Sequence, residues 1–272
     1  MKRSDYLFSF SQKIRSIFQK LHPIYTRTAL QLHRRVLPVL FPRHCPICNR
    51  LVPYGIYIHE ECRRDLPLIF SPVCMRCGKP VSSSTNEYCY DCRIFPKSFQ
   101  GGISLFLYNK KTRPIMTAFK YKNQRGLADF FIQELYHYRL SQLKSLNIDA
   151  VIPVPIHKNK YKKRGYNQAA LLSSRLALIL NLPHYPNMLI RSVDTLPQKQ
   201  FSPQARLNNL KKAFRFNSRY DNLLSKNTSF SILLVDDIYT SGATMEACTR
   251  VLLESGITGV SVLSICIGIA RD

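Results

Sequence analysis

Apolar residues recur along this chain at two spacings, and each spacing predicts its own kind of element. Leu127, Phe130, Phe131, Leu135 and Tyr138 share one side of a 3.6-residue helix, which predicts a strongly amphipathic helix from Gly126 to about Lys144. Helices are also predicted over Arg113 to Lys122, Asn167 to Leu180 and Thr244 to Ser255, the last with Gly256 as its C′ residue, and a short one over Ala205 to Ala213. Alternating or branched runs predict strands at Gly102 to Tyr108, Asp149 to Val154, Met188 to Arg191, Ser231 to Val235 and Val260 to Ile267. Strands alternating with helices from about residue 96 to 272 imply an α/β domain with a mostly parallel sheet covered by helices on both faces.

Upstream of that domain the pattern changes twice. Residues 1–36 read as a basic extension, in which Leu7, Phe10, Ile14, Phe18 and Leu21 recur at helical steps among cations. Such a segment suits a nucleic acid, a partner groove or an anionic membrane surface, or else packs loosely as a simple extension. Residues 37–95 hold seven of the nine cysteines in two similar units. The first reads Cys45-x2-Cys48 followed by His59-x2-Cys62, and the second Cys74-x2-Cys77 followed by Cys89-x2-Cys92. Each unit offers a tetrahedral set of thiolate and imidazole ligands with no position left for water, so we expect a double zinc ribbon whose Zn2+ is structural. Asn49 and Gly78 follow the leading knuckles, and both tolerate the left-handed conformation that a tight metal turn demands. Cys248 and Cys266 fall on a predicted helix and strand and read as core.

Charge adds a second expectation. Forty Lys+Arg against sixteen Asp+Glu leave a formal net charge of +24. That excess implies a polyanionic partner, of which nucleic acid is the candidate; the alternative is a generally solvated basic surface. No run approaches the length of a spanning helix and no secretory leader is evident, so a reducing cytoplasm is expected, with attachment to the inner face of a membrane left open.

The chemistry concentrates in two stretches. Ile232-Leu233-Leu234-Val235-Asp236-Asp237-Ile238-Tyr239-Thr240-Ser241-Gly242-Ala243-Thr244 reads as a buried strand, two carboxylates at its carboxyl end, and a small-residue loop opening a helix. In a parallel sheet such a loop offers backbone N–H groups and hydroxyls to a phosphate, while the acids accept hydrogen bonds from ribose hydroxyls. The segment resembles the PRPP-binding signature of the type I phosphoribosyltransferases. His157 to Gln168 carries five cations, Lys158, Lys160, Lys162, Lys163 and Arg164, and no acid. Read as a loop at another strand's carboxyl end, it meets the pyrophosphate of the same ligand, with Lys163 and Arg164 nearest; the four lysines are also candidate nucleic-acid contacts. Thr195, Gln198, Arg206, Asn209 and Phe214 lie on a stretch that reads as a mobile lid or as a surface connection.

Pro153-Val154-Pro155, Arg164-Gly165-Tyr166-Asn167-Gln168, Thr195-x2-Gln198, Arg206-x2-Asn209-x3-Ala213-Phe214 and the 232–244 segment, together with Phe119-Lys120-Tyr121, resemble the ComF competence-protein family over about Leu37 to Ile269. His59 stands where that family usually has Cys, and Tyr166 where Phe is common. The resemblance implies a phosphoribosyltransferase-like domain behind a double zinc ribbon, and a role in DNA uptake and natural transformation beside single-stranded DNA and a competence helicase. Three readings follow. One is an enzyme binding PRPP with Mg2+, in which Asp236, Asp237 and Arg164 stabilise charge during transfer at C1. A second is a non-catalytic single-stranded-DNA-binding module on the same fold. The third is a scaffold held at a membrane by residues 1–36.

Overall fold

The computed structural model describes residues 42–53, 55–193, 210–225 and 229–269. Residues 1–59 and 60–272 form two compact units. The predicted N-terminal helix, Thr195, Gln198, Arg206 and Asn209 lie outside the described residues.

In the first unit, β1 (Arg43–His44) and β2 (Leu51–Val52) pair antiparallel around the leading knuckle. There Asn49 adopts φ 59°, and the N–H groups of Cys45 and Asn49 donate to the carbonyls of Arg50 and Cys45, each at 2.8 Å.

The second unit begins with α1 (Glu60–Arg64), whose Arg63 is ion-paired at 2.8 Å with the buried Glu134. Next come the second cysteine unit and the short α2 (Tyr90–Ile94). The main sheet has the order β3 (Gly101–Leu107), β8 (Gly259–Ile267), β7 (Ser231–Tyr239), β4 (Ala150–Pro153), and all of its pairings are parallel. Parallel pairing requires crossover helices. They are α3 (Arg113–Tyr121), α4 (Leu127–Ser145), α6 (Gln168–Leu180) and α8 (Ala243–Glu254). Along β7 the side chains alternate between faces. Ile232 and Leu234 share a core with Met245, Cys248 and Leu252 of α8, while Leu233 and Val235, facing the other way, are equally inaccessible. Burial on both sides explains why these strands read as apolar runs rather than as alternations.

A separate antiparallel pair, β5 (Leu189–Arg191) with β6 (Phe214–Phe216), stands apart from the sheet, and α7 (Asp221–Ser225) follows it. Of the predicted 205–213 helix, residues 210–213 are described; 210–212 are helical and Ala213 is a turn. Two expectations need correction. The cationic stretch after β4 is not a loop: Lys158–Arg164 form helix α5. His157 caps it by accepting the Asn159 N–H at 3.3 Å, and Gly165 ends it at φ 75°, so a run of good helix formers is bounded on both sides. Strand β7 also continues past Val235. Asp236, Ile238 and Tyr239 pair with Ser264, Cys266 and Ile267 of β8, and the neighbouring ladder outweighs the poor strand preference of aspartate.

Candidate ligand-binding site

At the carboxyl end of β7 the pleat sends Asp236 and Asp237 to opposite faces. Asp237 is buried, and its Oδ1 lies 2.9 Å from Lys120 Nζ, near the end of α3. The N–H of Asp237 donates to Asp236 Oδ1 at 2.8 Å. Burial first, and then the Asp237 carboxylate, push Asp236 up to about 7, with Lys120 and Arg164 pulling the other way. The two consecutive acids thus differ in state, Asp237 being ion-paired and Asp236 poised to change charge near neutrality.

The cations come from two helices. Arg164, at the end of α5, donates to Gln168 Oε1 at 3.0 Å and to the Tyr121 hydroxyl at 3.2 Å, and its guanidinium lies 5.2 Å from the Tyr121 ring centre. Gln168 is 1% exposed, and its Nε2 has no hydrogen-bond partner among the described residues. A buried donor of this kind suits an acceptor that arrives with a ligand. Tyr166 closes the floor, its hydroxyl donating to the Phe119 carbonyl. Lys158, Lys160, Lys162 and Lys163 are exposed along α5, and the nearby Tyr161 is 53% exposed. The site therefore gathers Asp236, Asp237 and Arg164, and adds Lys120 and Tyr121, which sequence reasoning noted only as part of a family segment and gave no role.

Beyond Tyr239 the chain leaves the sheet. Thr240 and Ser241 are exposed, Gly242 takes φ 74° as the N-cap residue, and Ala243 and Thr244 begin α8. The Ala243 N–H is 3.5 Å from Ser241 Oγ, and the first N–H groups of a helix have no partner within it. The loop thus offers two hydroxyls and a set of amides at the positive end of a helix dipole, on the same sheet edge as the acids.

The cysteine-rich segments form two clusters. In the first unit the ligand atoms of Cys45, Cys48 and His59 lie within 4.8 Å of one another, with Cys62 three residues further along the chain; in the second unit those of Cys74, Cys77, Cys89 and Cys92 do the same. Cys77 and Cys89 sulfurs are 3.6 Å apart. A tetrahedral Zn–S distance of ~2.3 Å places two thiolates ~3.8 Å apart, so the donors fit zinc. His59 turns Nδ1 toward Cys48 Sγ at 3.2 Å and Nε2 to the Leu51 carbonyl at 2.9 Å, an outer contact that fixes the ring of a metal-ligating imidazole. The second leading knuckle repeats the first, with Gly78 N–H donating to Cys74 O at 2.9 Å and Cys74 N–H to Lys79 O at 2.7 Å.

Residues 36–93 match the double zinc ribbon domain family. Competence protein F of Haemophilus influenzae is 30% identical over 198 residues, covering 70% of this chain and 82% of that protein. Competence protein ComFC of Bacillus subtilis is 27% identical, covering 72% and 78% of the two chains, and DNA utilization protein YhgH of Escherichia coli is 26% identical, covering 82% and 89%. Among solved structures, an adenine phosphoribosyltransferase aligns over 55% of this chain and 74% of its own at 14% identity and a TM-score of 0.34. Identity of 30% across four-fifths of the Haemophilus protein shows that the chain belongs to the competence protein F family.

Proposed function

We propose that this chain binds PRPP with Mg2+ at the β7 edge and serves the competence or DNA utilization for which its relatives are named. The observation that carries the reading is the β7–α8 junction: two adjacent acids stand near the carboxyl end of a buried parallel strand that ends at Tyr239, and a left-handed glycine at position 242 opens a helix after a short loop. The 5-phosphate is assigned to Thr240, Ser241, Gly242, Ala243 and Thr244, where amides and hydroxyls converge on an anion. Asp236 and Asp237 accept the ribose hydroxyls, one carboxylate on each side of the strand end. Lys120, Lys163 and Arg164 supply positive charge for the pyrophosphate. Mg2+, a hard and strongly hydrated ion, would be held chiefly by the ligand's own oxygens and would neutralise their charge. Carboxylates beside the ring and cations beside the leaving group are the arrangement that stabilises an oxocarbenium-like state, and on that ground we assign phosphoribosyl transfer as the chemistry of the site.

The test is calorimetric titration of zinc-replete protein with PRPP and Mg2+, reading pyrophosphate release in parallel. Saturable binding that disappears in the Asp236→Asn/Asp237→Asn variant is expected, and equal affinity in that variant would remove the assignment.

A second reading is favoured by α5, whose four exposed lysines surround an exposed Tyr161. A basic helix with a stacking ring suits a single strand of DNA. Affinity for an oligonucleotide that falls steeply with salt, and is weakened by Lys160→Gln/Lys162→Gln, supports this role alongside the first.

A further inference from the structure

A short run of side chains joins the second cysteine cluster to the anion loop. Tyr239 ends β7 immediately before the loop and is 3% exposed. Phe99 meets its ring edge-on, with centres 6.4 Å apart and planes at 86°. Lys79 Nζ lies 5.9 Å from the ring centre. Lys79 is itself 3% exposed and ion-paired with Asp91, and both residues belong to the metal knuckles. Lys79 directly follows Gly78, and its carbonyl receives the Cys74 N–H, whereas Asp91 stands between Cys89 and Cys92. At the other end of the ring, a Cβ built on Gly242 would come 2.0 Å from the Tyr239 hydroxyl oxygen and 2.3 Å from Cζ. The phenol therefore fills the space directly beneath the loop's one left-handed residue.

A buried ammonium is costly unless it is paired, so Lys79 has a defined place only while the two knuckles hold Asp91 against it. The knuckles in turn take their shape from their metal. Loss of that shape frees Lys79 from Asp91 and from the face of Tyr239, and the floor of the loop then loses one wall.

We propose that the second zinc ribbon is a positioning element of the anion site, acting through Lys79 and Tyr239 to hold Thr240–Thr244 in the conformation that receives a phosphate. Metal occupancy then sets ligand affinity, and by linkage the bound ligand slows departure of the metal. The affinity arm of this inference rests on the PRPP reading; the loop-conformation arm does not.

The experiment uses full-length, zinc-replete protein as wild type, Lys79→Met and Tyr239→Leu. Hydrogen–deuterium exchange is read on the amides of 240–245, PRPP with Mg2+ is titrated calorimetrically, and zinc release to 4-(2-pyridylazo)resorcinol is timed with and without PRPP. Both variants should keep their zinc while loop exchange quickens roughly tenfold, PRPP affinity falls by a similar factor, and PRPP no longer slows zinc release. If Lys79→Met loses metal, Tyr239→Leu, which alters no knuckle residue, decides alone. Unchanged loop exchange in a metal-loaded variant overturns the inference. Absence of PRPP binding in wild type counts against the ligand reading only, because the exchange comparison still decides the coupling.

Discussion

Asp236 is the residue whose charge changes most readily at the site, and its environment fixes the direction of a pH effect. Burial and the Asp237 carboxylate favour its neutral form up to about pH 7. Its contribution to folding stability is therefore full below the ordinary aspartate range and is lost as pH rises through about 7. Ligand binding runs the other way, since ribose hydroxyls donate better to a carboxylate than to a carboxylic acid. PRPP affinity should rise about tenfold between pH 6 and pH 8, and Asp236→Asn should flatten that profile, as calorimetry at several pH values would show. Lys120 lowers the proton affinity of Asp236 and pairs with Asp237. Lys120→Met should therefore move the pH midpoint of binding upward and weaken PRPP at every pH, with about 1–3 kcal/mol of stability lost by leaving Asp237 unpaired. A midpoint that stays in place would rule out a role for Lys120 in tuning the acids.

At the scale of elements, two close approaches decide where the working parts sit. The loop after β7 runs over Tyr239 through a glycine at φ 74° with no room for a methyl group. Gly242→Ala should cost about 1–3 kcal/mol in a thermal melt and abolish measurable PRPP binding, because the added carbon displaces either the loop or the ring. On the other edge, the second leading knuckle rests backbone-to-backbone on β3. A Cβ on Gly102 would meet the Cys77 carbonyl at 2.7 Å, and one on Gly78 would meet the Gly102 carbonyl at 2.6 Å. Gly102→Ala should lift the knuckle from the strand and hasten zinc loss to a chelator, while the sheet retains its circular dichroism. The segment between α1 and this knuckle also covers the free edge of β3, with Ile69 N–H donating to Leu105 O at 3.0 Å and Leu107 N–H to Pro67 O at 2.9 Å. An edge closed in this way is protected from pairing with other chains.

For the whole molecule, metal and charge set the behaviour. Purified protein should carry two zinc ions per chain, matching its two clusters. Cys74→Ser should lower that content by one and reduce the melting temperature, since a module with so small a core is held by its metals. Full metal content in that variant would contradict the ribbon. The formal charge of +24 predicts association with single-stranded DNA whose affinity falls steeply with added salt, measurable by fluorescence anisotropy across a salt series. Among the described residues no helix is long and apolar enough to cross a membrane.

The amino-acid sequence by itself determined the features that depend on local order. The paired knuckle spacings selected the metal ligands, and Asn49 and Gly78 supplied the turns they need. The apolar run before Asp236 and the small-residue run after Tyr239 marked a strand, a loop and a helix, because burial and chain flexibility are written residue by residue. Tertiary structure alone decided how far β7 extends, since its last pairs depend on β8. The helix formed by the cations after β4 has, by contrast, a local cause, the His157 cap and the left-handed Gly165, both of which the sequence carries. Lys120 against Asp237, and Lys79 over Tyr239, join residues far apart in the sequence. No local pattern encodes such partners, because a buried charge takes whichever counter-charge the assembled fold brings within reach.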